Sequence, residues 1–201
     1  LLRTVGLESC EARYDVVLGV DNHERADRML REAFGKECPA EIIGLNIGTS
    51  EKGQLRRWPA VRHAALAQKL AEQHPDKGVV VLSGPQDNEV RSHVISSIAS
   101  EVPNLAILPN NIEIGDFIAL LGRLRVVVTS DTFGMHAARS QDVSTVALVG
   151  PMPHRELELG PRDKLVGPKT DCSPCYHRCT QTVIGKCMQD IEVDYVAEQV
   201  G

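Results

Sequence analysis

A regular alternation of strand-like and helix-like segments between residues 42 and 150 limits the folds that this chain can adopt. The strand-like segments are short, apolar and rich in β-branched residues, and the segments between them carry apolar residues at helical spacing. The predicted strands are 42–48, 78–84, 104–109, 125–130 and 143–150, and the predicted helices are 59–75, 88–102, 113–124 and 132–141. Because these strands are apolar throughout, both faces of their sheet must be covered.

This order of elements predicts an α/β fold with a doubly wound, mainly parallel, Rossmann-like sheet. In such sheets ligands bind beyond the carboxyl ends of the strands. The polar residues that follow each predicted strand are therefore the first candidates for a binding site.

The residues before the alternation are predicted to form a separate segment. Residues 14–20 are predicted to form a short strand, and residues 22–35 a helix that ends on a glycine. We expect residues 1–40 to be the remnant of a preceding segment or linker, and residues 41–201 to form one domain. The sequence does not begin with Met, which is compatible with a piece cut from a longer chain.

Composition excludes some classes of partner and compartment. The chain carries 22 basic and 27 acidic residues, a net charge of −5, which gives no general case for a nucleic-acid partner. No window approaches 18 consecutive apolar residues, so no transmembrane segment is expected. The first ten residues lack the features of a signal peptide, and these observations together indicate a cytosolic chain.

The segment "SDTFGMHAAR" follows a predicted strand and carries chemistry-bearing residues. Asp131 or Thr132 can cap the helix that follows, which is one interpretation. The other is an anion site, because free amides and the positive end of the helix dipole favour a phosphate. Gly134 would then permit close approach of the ligand, and His136 would donate to a phosphate oxygen.

A second polar loop, "NIGTSEKGQLRRWP", follows another predicted strand. Thr49 and Ser50 offer hydroxyl groups, and Arg56 or Arg57 offers a guanidinium. The loop lacks the pattern of a P-loop, and a solvated loop with its tryptophan packed beneath is the alternative. Two such loops at one edge of a sheet indicate a site for a nucleotide diphosphate. After the next strand, Gln86, Asp87 and Glu89 are candidates for ribose hydroxyls or for a helix-starting acid.

Four cysteines lie close together near the end of the chain, with the spacing C-x2-C-x3-C-x7-C. Four thiolates can close a tetrahedral shell around zinc or iron, and crowding of this kind in a cytosolic chain favours metal over disulfides. Such a site would be structural, and reduced thiols or oxidised pairs are the alternatives. This cysteine cluster consists of Cys172, Cys175, Cys179 and Cys187.

Taken together, these motifs resemble glycosyltransferase family 9, the ADP-heptose:lipopolysaccharide heptosyltransferases and their relatives. "NIGTS" and "RRWP" correspond to the family's hydroxyl loop and K-W-P, and "LSGPQDNE" to its G-G-P loop. "DTFGMHAA" corresponds to the signature D-S/T-G-P-M-H-L/A-A, and "LVGPMPH" to the motif after the following strand. "CSPCYHRC" and "CMQDI" match the end of many members, so the resemblance runs from about residue 42 to residue 200.

The resemblance implies the C-terminal, donor-binding lobe of a two-lobed GT-B enzyme. Residues 41–201, with the Cys-rich loop 171–188, would be the nucleotide-sugar-binding domain for an ADP-heptose-like donor. The reaction would be inverting and would require no cofactor for transfer. The other lobe would bind the lipopolysaccharide core acceptor and supply the aspartate base. Such an enzyme would be cytoplasmic, compatible with peripheral association at the cytoplasmic face of the inner membrane.

The resemblance also assigns residues to the donor. Asp131, Thr132 and His136 fall on the signature, together with Gly134, and are expected to contact diphosphate and sugar. The signature glycine is displaced by one place, because Phe133 stands where glycine is usual.

The remaining donor contacts follow from the other two loops. Thr49 and Ser50 are expected on the diphosphate, and Glu89 on the ribose. Arg57 takes the place of the family lysine, where it would stabilise the leaving diphosphate. A guanidinium is no neutral replacement for lysine, because it binds two phosphate oxygens at once.

A complete two-lobed enzyme would need roughly another 130 to 150 residues. We therefore expect this chain to bind nucleotide but to transfer little or no sugar, and to hold no catalytic base. The competing hypothesis is a non-catalytic, metal-stabilised assembly or regulatory module with the same fold. A dinucleotide-dependent oxidoreductase is disfavoured because no G-x-G-x-x-G follows a strand.

Overall fold

The computed structural model describes residues 16–35, 38–98, 102–157 and 159–201. Within them, six strands form one sheet in the order β3-β2-β1-β4-β5-β6, with every neighbouring pair parallel. The strands are β1 Ile42–Asn46, β2 Gly78–Leu82, β3 Leu105–Ile107, β4 Val126–Ser130, β5 Ser144–Leu148 and β6 Lys164–Val166. The helices are α1 Val20–Phe34, α2 Ala60–Gln73, α3 Asn88–Ser97, α4 Ile114–Leu121, α5 Phe133–Ser140, α6 Lys186–Gln189 and α7 Val193–Val200.

Helices cover both faces of the sheet, as its continuous apolar strands require. On one face α2, α3 and α7 pack on the sheet, with Leu66, Leu70 and Val196 in the core. On the other face α1, α4 and α5 contribute a second core that includes Leu30 and Leu120. The predicted doubly wound, mainly parallel α/β fold is confirmed.

The strand order reverses between β1 and β4, which lie side by side although α2, α3, α4 and two strands separate them in the chain. In the register, Asn46 at the end of β1 pairs with Thr129 of β4 and with Leu82 of β2. The carboxyl ends of these three strands therefore open at one edge of the sheet. A crevice at such a reversal is where doubly wound sheets bind their ligands.

The segment before β1 differs in part from its prediction. The predicted helix at 22–35 is confirmed as α1, but residues 16–19 form no strand and α1 begins at Val20. Val17 is 91% exposed, so no sheet neighbour covers it. Residues 14 and 15 lie outside the described residues. α1 packs on α4, and Arg25 pairs with Asp116 at 2.7 Å.

The end of the chain adds elements that were not predicted, namely β6, α6 and α7. β6 is three residues long and begins with an exposed lysine, so it carries no strand-like apolar run. None of the helices in the described parts of the chain has both the length and the apolar character that crossing a bilayer requires.

Candidate functional site

The carboxyl ends of β1, β2 and β4 open into one cavity of about 500 Å³. This volume lies within the range of small-molecule sites. Its walls come from residues 46–56 after β1, 83–87 after β2, 110–117 around the start of α4, and 131–136 after β4. The two loops predicted to bind phosphate therefore face the same space.

The floor of the cavity is a close contact between β1 and α5. The Asn46 amide donates to Thr129 Oγ1 at 3.0 Å and to Thr132 Oγ1 at 3.3 Å. Gly134 lies directly over it, and a Cβ there would sit 2.9 Å from Asn46 Cγ and nearer still to the amide nitrogen. Only glycine fits at this place without moving α5 or the asparagine. Thr132 occupies the N-cap position of α5, but its side chain makes no capping hydrogen bond.

The two adjacent arginines of the "RRWP" motif point to different places. Arg56 lines the cavity, and its Nη1 donates to the Asp131 carbonyl at 2.7 Å and to Asp131 Oδ2 at 3.2 Å. Arg57 lies outside the cavity, where its Nε donates to Thr49 Oγ1 at 3.1 Å. The 3-10 helix Glu51–Arg56 ends between them and Arg57 is extended, which separates the directions of the two side chains.

Asp87 joins the loops that follow β1 and β2. It is 5% exposed and accepts from the Thr49 amide at 3.2 Å, the Gly84 amide at 2.9 Å and Arg57 Nη2 at 3.2 Å. Its carboxylate packs so closely on Gly48 that a Cβ there would collide with it. Asp87 is therefore held by three donors and serves to fix the loops.

The loop is anchored from behind by Trp58 and His63, both buried. Trp58 Nε1 donates to the Ile191 carbonyl at 3.1 Å, and its ring meets the imidazole edge-on with centroids 5.0 Å apart. Burial lowers the pKa of His63 to about 3, and the charge of Arg57 acts in the same direction. His63 is thus a neutral packing residue at neutral pH.

Comparison with known proteins identifies the family. The family model described as glycosyltransferase family 9 (heptosyltransferase) matches residues 5–183. The chain belongs to glycosyltransferase family 9. The family predicted from the motifs is thereby confirmed.

Heptosyltransferases and a family 9 glycosyl transferase are among the curated relatives and solved structures that resemble this chain. Lipopolysaccharide heptosyltransferase 2 of Salmonella typhimurium is 29% identical over 122 residues, which cover 59% of this chain and 33% of that protein. The family 9 glycosyl transferase from Veillonella parvula has a TM-score of 0.75 and 21% identity, covering 99% of this chain and 56% of that one. E. coli ADP-heptose lps heptosyltransferase II has a TM-score of 0.71 and 19% identity, with 92% and 52% coverage.

At these identities the structural likeness concerns the fold alone. This chain spans about a third of the curated relative and about half of the solved structures.

Most of the residues expected to bind the donor meet in the cavity. They are Thr49, Ser50, Asp131, Thr132, Gly134 and His136. Arg57 and Glu89 do not reach it. Both line a separate depression of about 750 Å³ between α2, α3 and the start of α6. Glu89 lies in the first turn of α3, which turns its side chain away from the cavity.

Several cavity residues were not assigned to the donor from the sequence. Asn46 had a usable signal, because it is a polar residue at the end of an otherwise apolar strand. The apolar wall formed by Ile112, Ile114 and Phe117 had none, since these residues fit an ordinary helix start. Arg56 was one of two adjacent candidates that sequence alone does not separate.

The cysteine cluster lies beside the carboxyl end of β5. The Cys175 and Tyr176 amides donate to the Pro151 carbonyl at 3.1 and 2.8 Å. Burial raises the pKa of the Cys187 thiol, and the charges of the other three cysteines act in the same direction. Within the described residues, however, no three His, Cys, Asp or Glu side chains are arranged to hold a metal ion. A zinc or iron at this place stays a prediction.

Proposed function

We propose that this chain is the donor-binding lobe of a family 9 glycosyltransferase and holds the diphosphate of a nucleotide sugar in the cavity described above. The observation that carries the proposal is the convergence of the Thr49–Arg56 loop and the Asp131–His136 segment on that cavity. Their parent strands, β1 and β4, are adjacent across the strand-order reversal.

The cavity offers the groups that a diphosphate requires. The first turn of α5 presents free amides and the positive end of the helix dipole. Thr49 and Ser50 add hydroxyl groups, and Arg56 adds a guanidinium that faces the cavity. A guanidinium binds two phosphate oxygens at once, which suits it to this position.

The same groups support the chemistry of transfer. As the bond between sugar and diphosphate breaks, negative charge grows on the leaving diphosphate, and a fixed cation beside it lowers the barrier. We assign this role to Arg56. Arg57, for which the family resemblance implied the role, is engaged with Thr49 and Asp87 instead.

The donor we propose is ADP-heptose-like, and the acceptor is the lipopolysaccharide core. The support is family membership together with the E. coli relative that is named for ADP-heptose. The acceptor site and the aspartate base belong to the whole enzyme, outside the lobe described here. We therefore expect this chain alone to bind nucleotide and to transfer little or no sugar. A cytoplasmic location likewise remains a prediction.

Calorimetric titration with ADP, UDP and GDP tests the proposal, alongside a transfer assay on the same preparation. Saturable binding, strongest for ADP and weakened in Arg56→Ala, is the expected result. If the folded chain bound none of the three nucleotides, the proposal would be refuted. A bound metal and a stable oligomer without nucleotide affinity would instead favour a non-catalytic assembly module. Brisk sugar transfer would contradict the expectation of inactivity.

A further inference from the structure

Two of the three phenylalanines in this chain line the cavity. Phe117 of α4 and Phe133 of α5 are stacked, with ring centroids 6.2 Å apart and an angle of 26° between their planes. Phe133 is 57% exposed although it is the first residue of a helix that otherwise packs on the core. An aromatic ring left open on a cavity wall is a surface that a ligand can cover.

Polar groups surround this ring on its own segment. Phe133 follows Thr132 directly and precedes His136 by three residues, which brings the ring and the imidazole to the same side of α5. A ligand held here therefore meets an aromatic face and hydrogen-bonding groups together. A pyranose ring matches that pairing, because it has an apolar C–H face and a rim of hydroxyl groups.

The order of strands indicates which end of the donor reaches Phe133. The cavity runs from the end of β4 across β1 to β2 and β3, three strand spacings or roughly 14 Å. The hydroxyl loop and Arg56 follow β1, the strand between the two ends, and the Arg56 guanidinium reaches towards the β4 end, where it bonds to Asp131. A diphosphate bound there directs one substituent to Phe133 and the other to Gln86 and Asn110. The end with the imidazole and the acid suits the transferred sugar, and the other end suits the nucleoside.

We propose that Phe133, supported by Phe117, is a specificity-determining residue that stacks on the apolar face of the transferred sugar. This inference rests on the proposed function and names the class of sugar it takes, a pyranose with an uninterrupted C–H face. The ring occupies the place where the family signature has glycine, so the contact is particular to chains with an aromatic residue there.

The test compares, by calorimetry, the binding of two ligands to the wild type, two Phe133 variants and one control variant. The ligands are the nucleoside diphosphate that the wild type prefers among ADP, UDP and GDP, and its glucose conjugate. Phe133→Ala is expected to weaken the conjugate roughly 3- to 10-fold, the range for an aromatic contact, while the bare diphosphate changes less than twofold. Phe133→Leu keeps apolar volume without the ring, so its affinity for the conjugate should lie between those of the wild type and Phe133→Ala.

Tyr195→Ala on α7 is the matched control, since it removes another partly exposed ring away from the cavity. Equal weakening of conjugate and diphosphate would mean that the ring contacts the nucleoside, and the inference would be wrong while the proposed function stood. No change with either ligand would also refute it. Absence of any binding by a folded wild type overturns the proposed function and this inference together.

Discussion

Separate replacement of Arg56 and Arg57 tests whether Arg56 binds the ligand while Arg57 stabilises the fold through Asp87. Arg56→Ala removes the guanidinium that faces the cavity, and a hydrogen bond to a charged group contributes about 1.5–3 kcal/mol. The dissociation constant for ADP should therefore rise about 10- to 150-fold. Its pair with Asp131 is partly exposed, at 25% and 14% for the two side chains, so the free energy of unfolding should change by less than about 1 kcal/mol.

Arg57→Ala should have the opposite effect, with a large loss of stability and a small loss of ADP affinity. It leaves the Asp87 carboxylate, 5% exposed, with two backbone donors and no counter-charge. Loss of one partner of a fully buried pair costs about 3–5 kcal/mol, and the 26% exposure of Arg57 reduces this to roughly 1–3 kcal/mol of stability. Affinity for ADP should fall less than in Arg56→Ala, because Arg57 acts on the cavity only through the position of Thr49.

Urea unfolding and calorimetry on both alanine variants measure the two quantities, with the lysine variants as controls that keep the charge. If Arg57→Ala abolished ADP binding at wild-type stability, while Arg56→Ala bound normally, the assignment of the cavity cation would be refuted. The leaving-group role would then return to Arg57.

Three further predictions concern Gly134, His63 and the metal that the sequence predicts at the cysteine cluster. Gly134→Ala forces a Cβ against Asn46 and should lower ADP affinity at least tenfold, measured by calorimetry, and unchanged binding would contradict the close contact. Because the pKa of His63 is lowered to about 3 in the fold, the unfolded chain takes up a proton below about pH 6.5 while the folded chain does not. Stability is therefore lost as pH falls, and urea unfolding at pH 7.5 and pH 5 should show a loss about 2 kcal/mol larger in wild type than in His63→Leu. Elemental analysis of purified chain should find about one zinc or iron per chain, lost in a Cys172→Ser, Cys175→Ser double variant, and a metal-free, fully folded wild type would contradict a metal at the cysteine cluster.

Much of the fold is readable from the sequence because its strands are continuous apolar runs. β1, β2, β4 and β5 are buried over nearly their whole length, so local composition and tertiary position agree. β6 was missed because three residues at a sheet edge, beginning with an exposed lysine, carry no period. Residues 16–19 show the opposite error, because a strand was predicted where none forms. Their valines are β-branched, but no neighbouring strand is available to pair with them.

The site was predictable to the level of its loops and not to the level of each side chain. The rule that ligands bind beyond the carboxyl ends of strands predicts that Thr49, Asp131 and His136 lie at one edge of the sheet, and all three line the cavity there. It does not say which of two adjacent arginines faces the cavity, because a single 3-10 turn decides that. Nor does it give the direction of Glu89, which depends on how α3 leaves its strand.

The three donors that bond to Asp87 affect the entropy cost of binding a ligand in the cavity. Because one carboxylate accepts from the amide of Thr49, the amide of Gly84 and the guanidinium of Arg57, it links the loops after β1 and β2 to each other. We expect this link to form when the chain folds. Less conformational entropy is then lost when a ligand binds, because the two loops already hold their relative positions.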